Sequence, residues 1–377
     1  MMPLLVACGP VVSPPGQTPG RGTPTAEPAA SAAAEAPPVA SSPAGPAPTA
    51  AAPFTPVRVA LDAGAMGTKV TIAAYTTPTL DEAALRPIIT RALDEVRRLE
   101  ALMTTWREDS ELSRVNAAAG RAAVTVGPET LAVIDKSLWI AARSEGTFDI
   151  TFDAMRGLWK FDEGAEDRVP ARGDVERARK LIDWRSVTLD REASTVKLRR
   201  SGMRMSLGGI AKGYAVDAAA RILGEGKVPA FFVQAGGDLY VRGTKPDGAP
   251  FKVGVRDPRG GPTDFFATLA VQDHAFSTAG DYERSFIQDG RRYHHIIDPR
   301  TGYPADACRS VTVWAPDAFT ADAIDDAVFI LGPEKGMALV ESIDGVGAVI
   351  VDKINRVFVT RRLEGVVEVF RRPKDGI

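Results

Sequence analysis

The chain has 377 residues, room for one large domain or two ordinary ones, and its 45% hydrophobic and 25% charged content is that of a soluble globular protein. A formal net charge of -2 with no basic stripe argues against nucleic acid as a partner, and no apolar run approaches the roughly 18–20 residues that span a bilayer. Two cysteines, Cys8 and Cys308, are too few for a cysteine-rich metal site, and a bridge between a terminus and the body is not expected.

The chain opens with Leu5-Val6-Ala7-Cys8, which resembles a bacterial lipobox whose cysteine is lipidated. A full export signal has a basic start and about 7–15 apolar residues. Here the first basic residue is Arg21, so this reading sets the true start upstream. Residues 9–56 are almost entirely Pro, Ala, Gly, Ser and Thr, with only Arg21, Glu27 and Glu35 charged. Such a stretch buries too little apolar surface to offset its ordering entropy and reads as a disordered tether. The folded domain is expected over residues 57–377.

Residues 57–74 alternate as strand, broken by Gly64-Ala65-Met66-Gly67-Thr68. Residues 80–103 carry Leu85, Ile88, Ile89, Leu93, Val96 and Leu99 at helical spacing, with Pro87 as a kink or as the true first turn. A second helix is expected over 129–144. Residues 186–207 read as strand, turn, strand, strand, with Met203, Met205 and Leu207 as the last alternating set. Residues 208–223 turn into a helix. Strands follow at 231–242, 251–256 and 267–271, a helix at 318–331, and late strands at 348–351 and 357–360. Strands arrive in runs rather than in strict alternation with helices, which predicts an α+β fold.

Several segments offer chemistry. Ser206-Leu207-Gly208-Gly209-Ile210-Ala211-Lys212-Gly213 follows a predicted strand and opens a helix. Its glycines let backbone N–H groups approach a phosphate, with Lys212 as a point charge, or they simply make a tight turn. Gln234-Ala235-Gly236-Gly237-Asp238 suits a bulge or a ligand approach in the same way. Asp322 and Asp326 lie one helical turn apart on one face. They suit Mg²⁺, or form a solvated acidic face joined by Asp325. His294 and His295 are adjacent, the wrong spacing for a zinc pair. In a strand they face opposite ways, so one is free to act as a general base or orienting group.

Taken together, these segments resemble one family. Met66-Gly67-Thr68 is similar to its opening motif. Thr105 to Asn116 resembles its aromatic–x–x–D–S–E–[LI]–S–R–x–N segment. Gly146-Thr147-Phe148-Asp149-Ile150-Thr151 resembles G-x-F-D-[VI]-T, and Leu207 to Asp217 and Gln234 to Asp238 match two more blocks. Ser277 to Tyr282 resembles S-T-[SA]-G-x-Y, His295 to Gly302 resembles H-I-[IL]-D-P-x-T-G, and Asp322 to Asp326 falls on A-D-A-L-x-T. The family is ApbE, the FAD:protein FMN transferases, and the ordered matches run from about residue 57 to 331.

The resemblance implies a single ApbE-like domain of mixed or antiparallel sheets flanked by helices. It also implies Mg²⁺-dependent transfer of FMN from FAD to a Thr or Ser hydroxyl of a target redox protein, with release of AMP. By position, Met66, Trp106, Thr147, Phe148, Asp149, Ser206, Lys212 and Ile296 are expected to contact FAD. The Gly209 carbonyl with Asp322 and Asp326 is expected to hold Mg²⁺, and His295 and Asp322 are expected to be catalytic. Trp106 offers a flat ring for stacking. The target is expected to be a flavoprotein subunit of a membrane or exported redox complex. The enzyme is expected at the periplasmic face of the cell envelope, touching the membrane only through a lipid at Cys8. Two positions depart from the pattern: Ser206 stands where the family has Asp, and Asp326 where it has Thr. The exchange conserves site charge and implies a shifted metal shell. An FAD pyrophosphatase and a non-enzymatic FAD-binding lipoprotein are the competing readings.

Overall fold

The computed structural model describes residues 54–161 and 166–377. The expected leader at residues 1–8 and all but the last three residues of the expected tether lie outside them. The ordered backbone opens where Val57 N–H donates to Thr76 Oγ1 at 2.8 Å and Thr76 N–H donates to the Val57 carbonyl at 2.9 Å.

The centre is an eight-stranded antiparallel sheet. Its strands, in spatial order, are Arg58–Ala65, Thr68–Tyr75, Phe231–Ala235, Asp238–Arg242, His274–Gly280, Cys308–Ala315, Gly347–Asp352 and Val357–Val359. Side chains alternate across it with period two. Val70, Ile72, Phe231, Val233, Val311, Val313 and Ile350 face a core shared with the helices. Ala73, Phe232, Leu239, Val241, Phe276, Val349 and Val351 face a second core under a three-stranded sheet of Phe251–Arg256, Phe265–Val271 and Val367–Val369. This is the expected α+β architecture.

The helices are α1 (Glu82–Met103), α2 (Glu111–Ala117), α3 (Pro128–Arg143), α4 (Arg172–Arg179), α5 (Ala211–Glu225), α6 (Ala318–Leu331) and α7 (Pro333–Glu341). Helix α1 starts at the Asp81 cap, which puts Pro87 in its interior. A proline there removes an N–H, so the Ala83 carbonyl has no helical donor. Helix α6 is buried on most sides, which places it at the centre of the helical layer.

Three expectations change. The apolar stretch at 231–242 is a hairpin rather than one strand: it turns at Gly236, at φ +61°, and Gly237, whose missing side chain lets the Thr278 carbonyl approach. Met203, Met205 and Leu207 alternate into the core but form no strand. The Asn116 side chain takes the place of a ladder partner, with Nδ2 donating to the Met205 carbonyl at 2.9 Å and Oδ1 accepting from Met205 N–H at 2.8 Å. Helices α2, α4 and α7 were not anticipated. The first is too short to show a period, and the second buries only Val175.

Candidate active site

Helix α6 brings the acidic residues to the sheet. Asp317 caps it, accepting from Thr320 N–H, and Asp217 of α5 accepts from Ala318 N–H at 2.9 Å and Phe319 N–H at 2.8 Å. Between these caps and the site, α5 and α6 touch at Gly213. A Cβ there would stand 2.3 Å from the Ala318 carbonyl oxygen, so only glycine fits. That approach lets Gly213 N–H donate to Asp322 Oδ2 at 2.7 Å, while Lys212 Nζ donates to Asp322 Oδ1 at 3.0 Å. Lys212 also pairs with Asp238 Oδ2 at 2.9 Å. Burial alone would lower the Lys212 pKa, but Asp238, Asp322 and Asp325 outweigh it and hold the ammonium charged.

The network continues through Ser277. Its Oγ lies 2.6 Å from both Asp238 Oδ1 and Asp325 Oδ2. A hydroxyl has one proton to give, so one carboxyl must donate in return. Burial, with Asp326, Asp322 and Asp238 nearby, pushes the Asp325 pKa well up, which makes Asp325 the donor and leaves Ser277 to donate to Asp238. Asp326 is half-buried, and burial raises its pKa to about 7. Asp326 packs on Gly209: a Cβ at Gly209 would sit 3.0 Å from Asp326 Oδ2 and 3.4 Å from the Phe148 ring.

The other predicted residues surround this cluster unevenly. Thr147 and Phe148 are buried, and Thr147 Oγ1 donates to the Ala327 carbonyl of α6 at 3.3 Å. Asp149 is buried with its carboxylate spent internally: Oδ1 accepts from Thr151 N–H and Oγ1–H, and Oδ2 accepts from Trp184 N–H at 2.9 Å. Ser206 Oγ accepts from Gly208 N–H at 3.3 Å and so shapes the glycine turn. Met66 and Gly67, at φ +54° and +67°, form the tight turn between the first two strands. A non-glycine residue in the left-handed region is uncommon and strained, and it aims the half-buried Met66 side chain. Trp106 is 82% exposed, with the Arg156 guanidinium over its ring at 4.7 Å, so its opposite face is open to a flat ligand.

The two histidines differ as alternation predicts. His294 is buried: Nε2–H donates to the Ala305 carbonyl at 2.7 Å, and Nδ1 accepts from Ile296 N–H at 3.3 Å. His295 reaches solvent but has protein packed around it. That surrounding mass, with His294 and the charges of Arg284 and Lys212, moves its pKa down, so its ring is neutral at pH 7. Ile296 sits in the core with its N–H bound to His294 and its carbonyl accepting from Ala305 N–H. Its side chain is buried in the core rather than lining an open surface. Grooves of about 460 and 440 Å³ among the described residues include none of the predicted site residues.

The ApbE family model matches residues 66–350. That span covers the glycine turn, both histidines and helix α6. The chain belongs to the ApbE family. It is 36% identical over 300 residues to the FAD:protein FMN transferase of Treponema pallidum, covering 74% of this chain and 81% of the relative. It is 32% identical over 288 residues to that of Vibrio cholerae, covering 76% and 85%. Among solved structures, an ApbE protein from Thermotoga maritima matches with a TM-score of 0.75 at 33% identity, over 82% of this chain and 99% of that one. The flavin transferase ApbE from Vibrio cholerae matches with a TM-score of 0.72 at 28% identity, over 83% and 100%.

The ApbE resemblance implies a divalent cation, and the donor set here fits one. Asp238 and Asp322 pair with Lys212, Asp325 joins Asp238 through Ser277, and Asp326 follows on α6, so carboxyl oxygens, which are hard donors, outnumber the one ammonium. Among the described residues no three His, Cys, Asp or Glu side chains converge as a preformed cage. The expected set needs only two side chains and a carbonyl, which leaves positions for water and substrate phosphate, as Mg²⁺ prefers. Sequence reasoning left Asp238, Ser277 and Asp325 without roles. The available signal was Asp238 directly after the Gly236-Gly237 turn and Ser277 within the run His274–Gly280.

Proposed function

We propose that the chain is a FAD:protein FMN transferase that uses Mg²⁺ to move FMN from FAD onto a Thr or Ser hydroxyl of a target redox protein, releasing AMP. The observation that carries the reading is Asp322, fixed by Lys212 and Gly213 N–H, one helical turn from Asp326, which packs on Gly209.

Each residue has a role that its surroundings support. The open face of Trp106 stacks on a ring of FAD, and Met66 presents its side chain from the strained turn. Asp322 and Asp326 with the Gly209 carbonyl hold the cation, and Lys212 aims Asp322 through its hydrogen bond to Oδ1. The cation, when bound, neutralises charge developing on the pyrophosphate. His295, neutral and solvent-accessible, accepts the proton of the acceptor hydroxyl. The hydroxyl oxygen bonds to the phosphorus of the FMN half, the bond from that phosphorus to the bridging oxygen breaks, and AMP departs with that oxygen. Lipidation at Cys8, outside the described residues, sets the enzyme at the periplasmic face of the cell envelope, beside acceptor subunits of membrane or exported redox complexes.

The test is to incubate the chain with FAD and Mg²⁺, with and without an acceptor carrying an exposed Thr, and to separate the nucleotide products. AMP release that depends on the acceptor is expected. Free FMN and AMP without acceptor identify a pyrophosphatase, and intact FAD in both mixtures identifies a binding protein.

A further inference from the structure

Arg284 joins two of the predicted site residues. Its carbonyl accepts from His295 N–H at 3.1 Å, and its Nη2 donates to the Gly67 carbonyl at 3.1 Å, in the turn that presents Met66. The side chain is exposed and makes no ion pair among the described residues. The other nearby cations are occupied: Lys212 by Asp238 and Asp322, Arg156 by Asp153 and the Trp106 ring. The charges of Arg284 and Lys212 both act on His295.

A guanidinium has five N–H donors in a planar fork suited to phosphate, and the Gly67 carbonyl takes one of them. Holding a turn needs a donor but no charge. A guanidinium with no ion pair, held in the turn that presents Met66 and one backbone bond from His295, is a different matter. There its remaining donors suit a dianionic pyrophosphate.

We propose that Arg284 binds the pyrophosphate of the dinucleotide substrate. The inference rests on the FAD-dependent reading above and adds a specificity: the site selects dinucleotides over unphosphorylated flavin through this residue. Arg284 also ties the two segments together, its side chain bonded to the Met66 turn at Gly67 and its backbone carbonyl to His295 N–H, so phosphate capture and placement of the proton acceptor meet at one residue.

The experiment is calorimetric titration of the full chain in Mg²⁺ with FAD, ADP and riboflavin, for wild type, R284Q and R284K. A charge-assisted hydrogen bond is worth about 1.5–3 kcal/mol, so R284Q should bind ADP and FAD about 10- to 100-fold more weakly. R284K should recover most of that loss, and riboflavin affinity should not move. ADP decides the matter, because it carries the pyrophosphate without the flavin. If R284Q binds ADP as wild type does, or if R284Q weakens riboflavin as much as ADP, Arg284 only holds the turn and the proposal is overturned. Failure of the wild-type chain to bind FAD while it binds ADP would instead sink the proposed function and leave the Arg284 result standing.

Discussion

Asp322 carries two loads at once: it pairs with the half-buried Lys212 ammonium at 3.0 Å and accepts Gly213 N–H at 2.7 Å. Removing it leaves Lys212 with Asp238 as its one ion-pair partner among the described residues and takes away a candidate metal ligand. Asp322→Ala should lower kcat/KM at least about 100-fold, the scale seen when one preorganised electrostatic group is deleted. Mg²⁺ affinity, measured separately by calorimetry, should fall with it. Unchanged turnover in that variant would mean the metal has been assigned to the wrong residues. At this scale the ordered motifs named Met66, Lys212, His295, Asp322 and Asp326 as candidates. The Asp238–Ser277–Asp325 chain was not legible, because Ser277 is 39 and 48 residues from its partners and nothing local marks the contact. Asp149 and Ile296 show the converse: their motif positions are clear, yet their polar groups are spent inside the protein.

Helix α6 is positioned by α5 in two ways, and each makes a prediction. Gly213→Ala would drive a Cβ to 2.3 Å from the Ala318 carbonyl and 2.7 Å from Asp322 Cβ, so the helices must part. Overpacking of this kind costs about 1–3 kcal/mol, and the denaturation midpoint should drop with little change in slope. Asp217 caps α6 from α5, and burial lifts its pKa to about 7 although two backbone N–H groups pull it down. The folded chain therefore keeps a proton that the unfolded chain has lost above about pH 4, so this group's stabilisation is full below that pH and is lost as pH rises through 7. In Asp217→Asn the fall of Tm between pH 4 and 7 should become shallower than in wild type; an identical slope would contradict the assignment. Sequence periodicity found α1, α3, α5 and α6 because each has an apolar stripe or run. It merged the 231–242 hairpin because alternation looks the same on both sides of a Gly-Gly turn. It made a strand of 203–207 because a side-chain amide can satisfy a backbone that alternates.

Across the whole molecule, the antiparallel sheet separates two cores and leaves the helical layer to build the site where α5, α6 and the central strands meet. The runs of strands made the α+β class readable. The spatial strand order was not, since neighbours such as Thr68–Tyr75 and Phe231–Ala235 lie far apart in the chain. The central claim is transfer to protein, which goes beyond binding or hydrolysis of FAD. Its most direct test is the intact mass of an acceptor protein after incubation with FAD, Mg²⁺ and either the wild-type chain or Asp322→Ala. The account predicts an acceptor heavier by one FMN with the wild type only. An acceptor of unchanged mass with both, beside consumed or intact FAD, would contradict it.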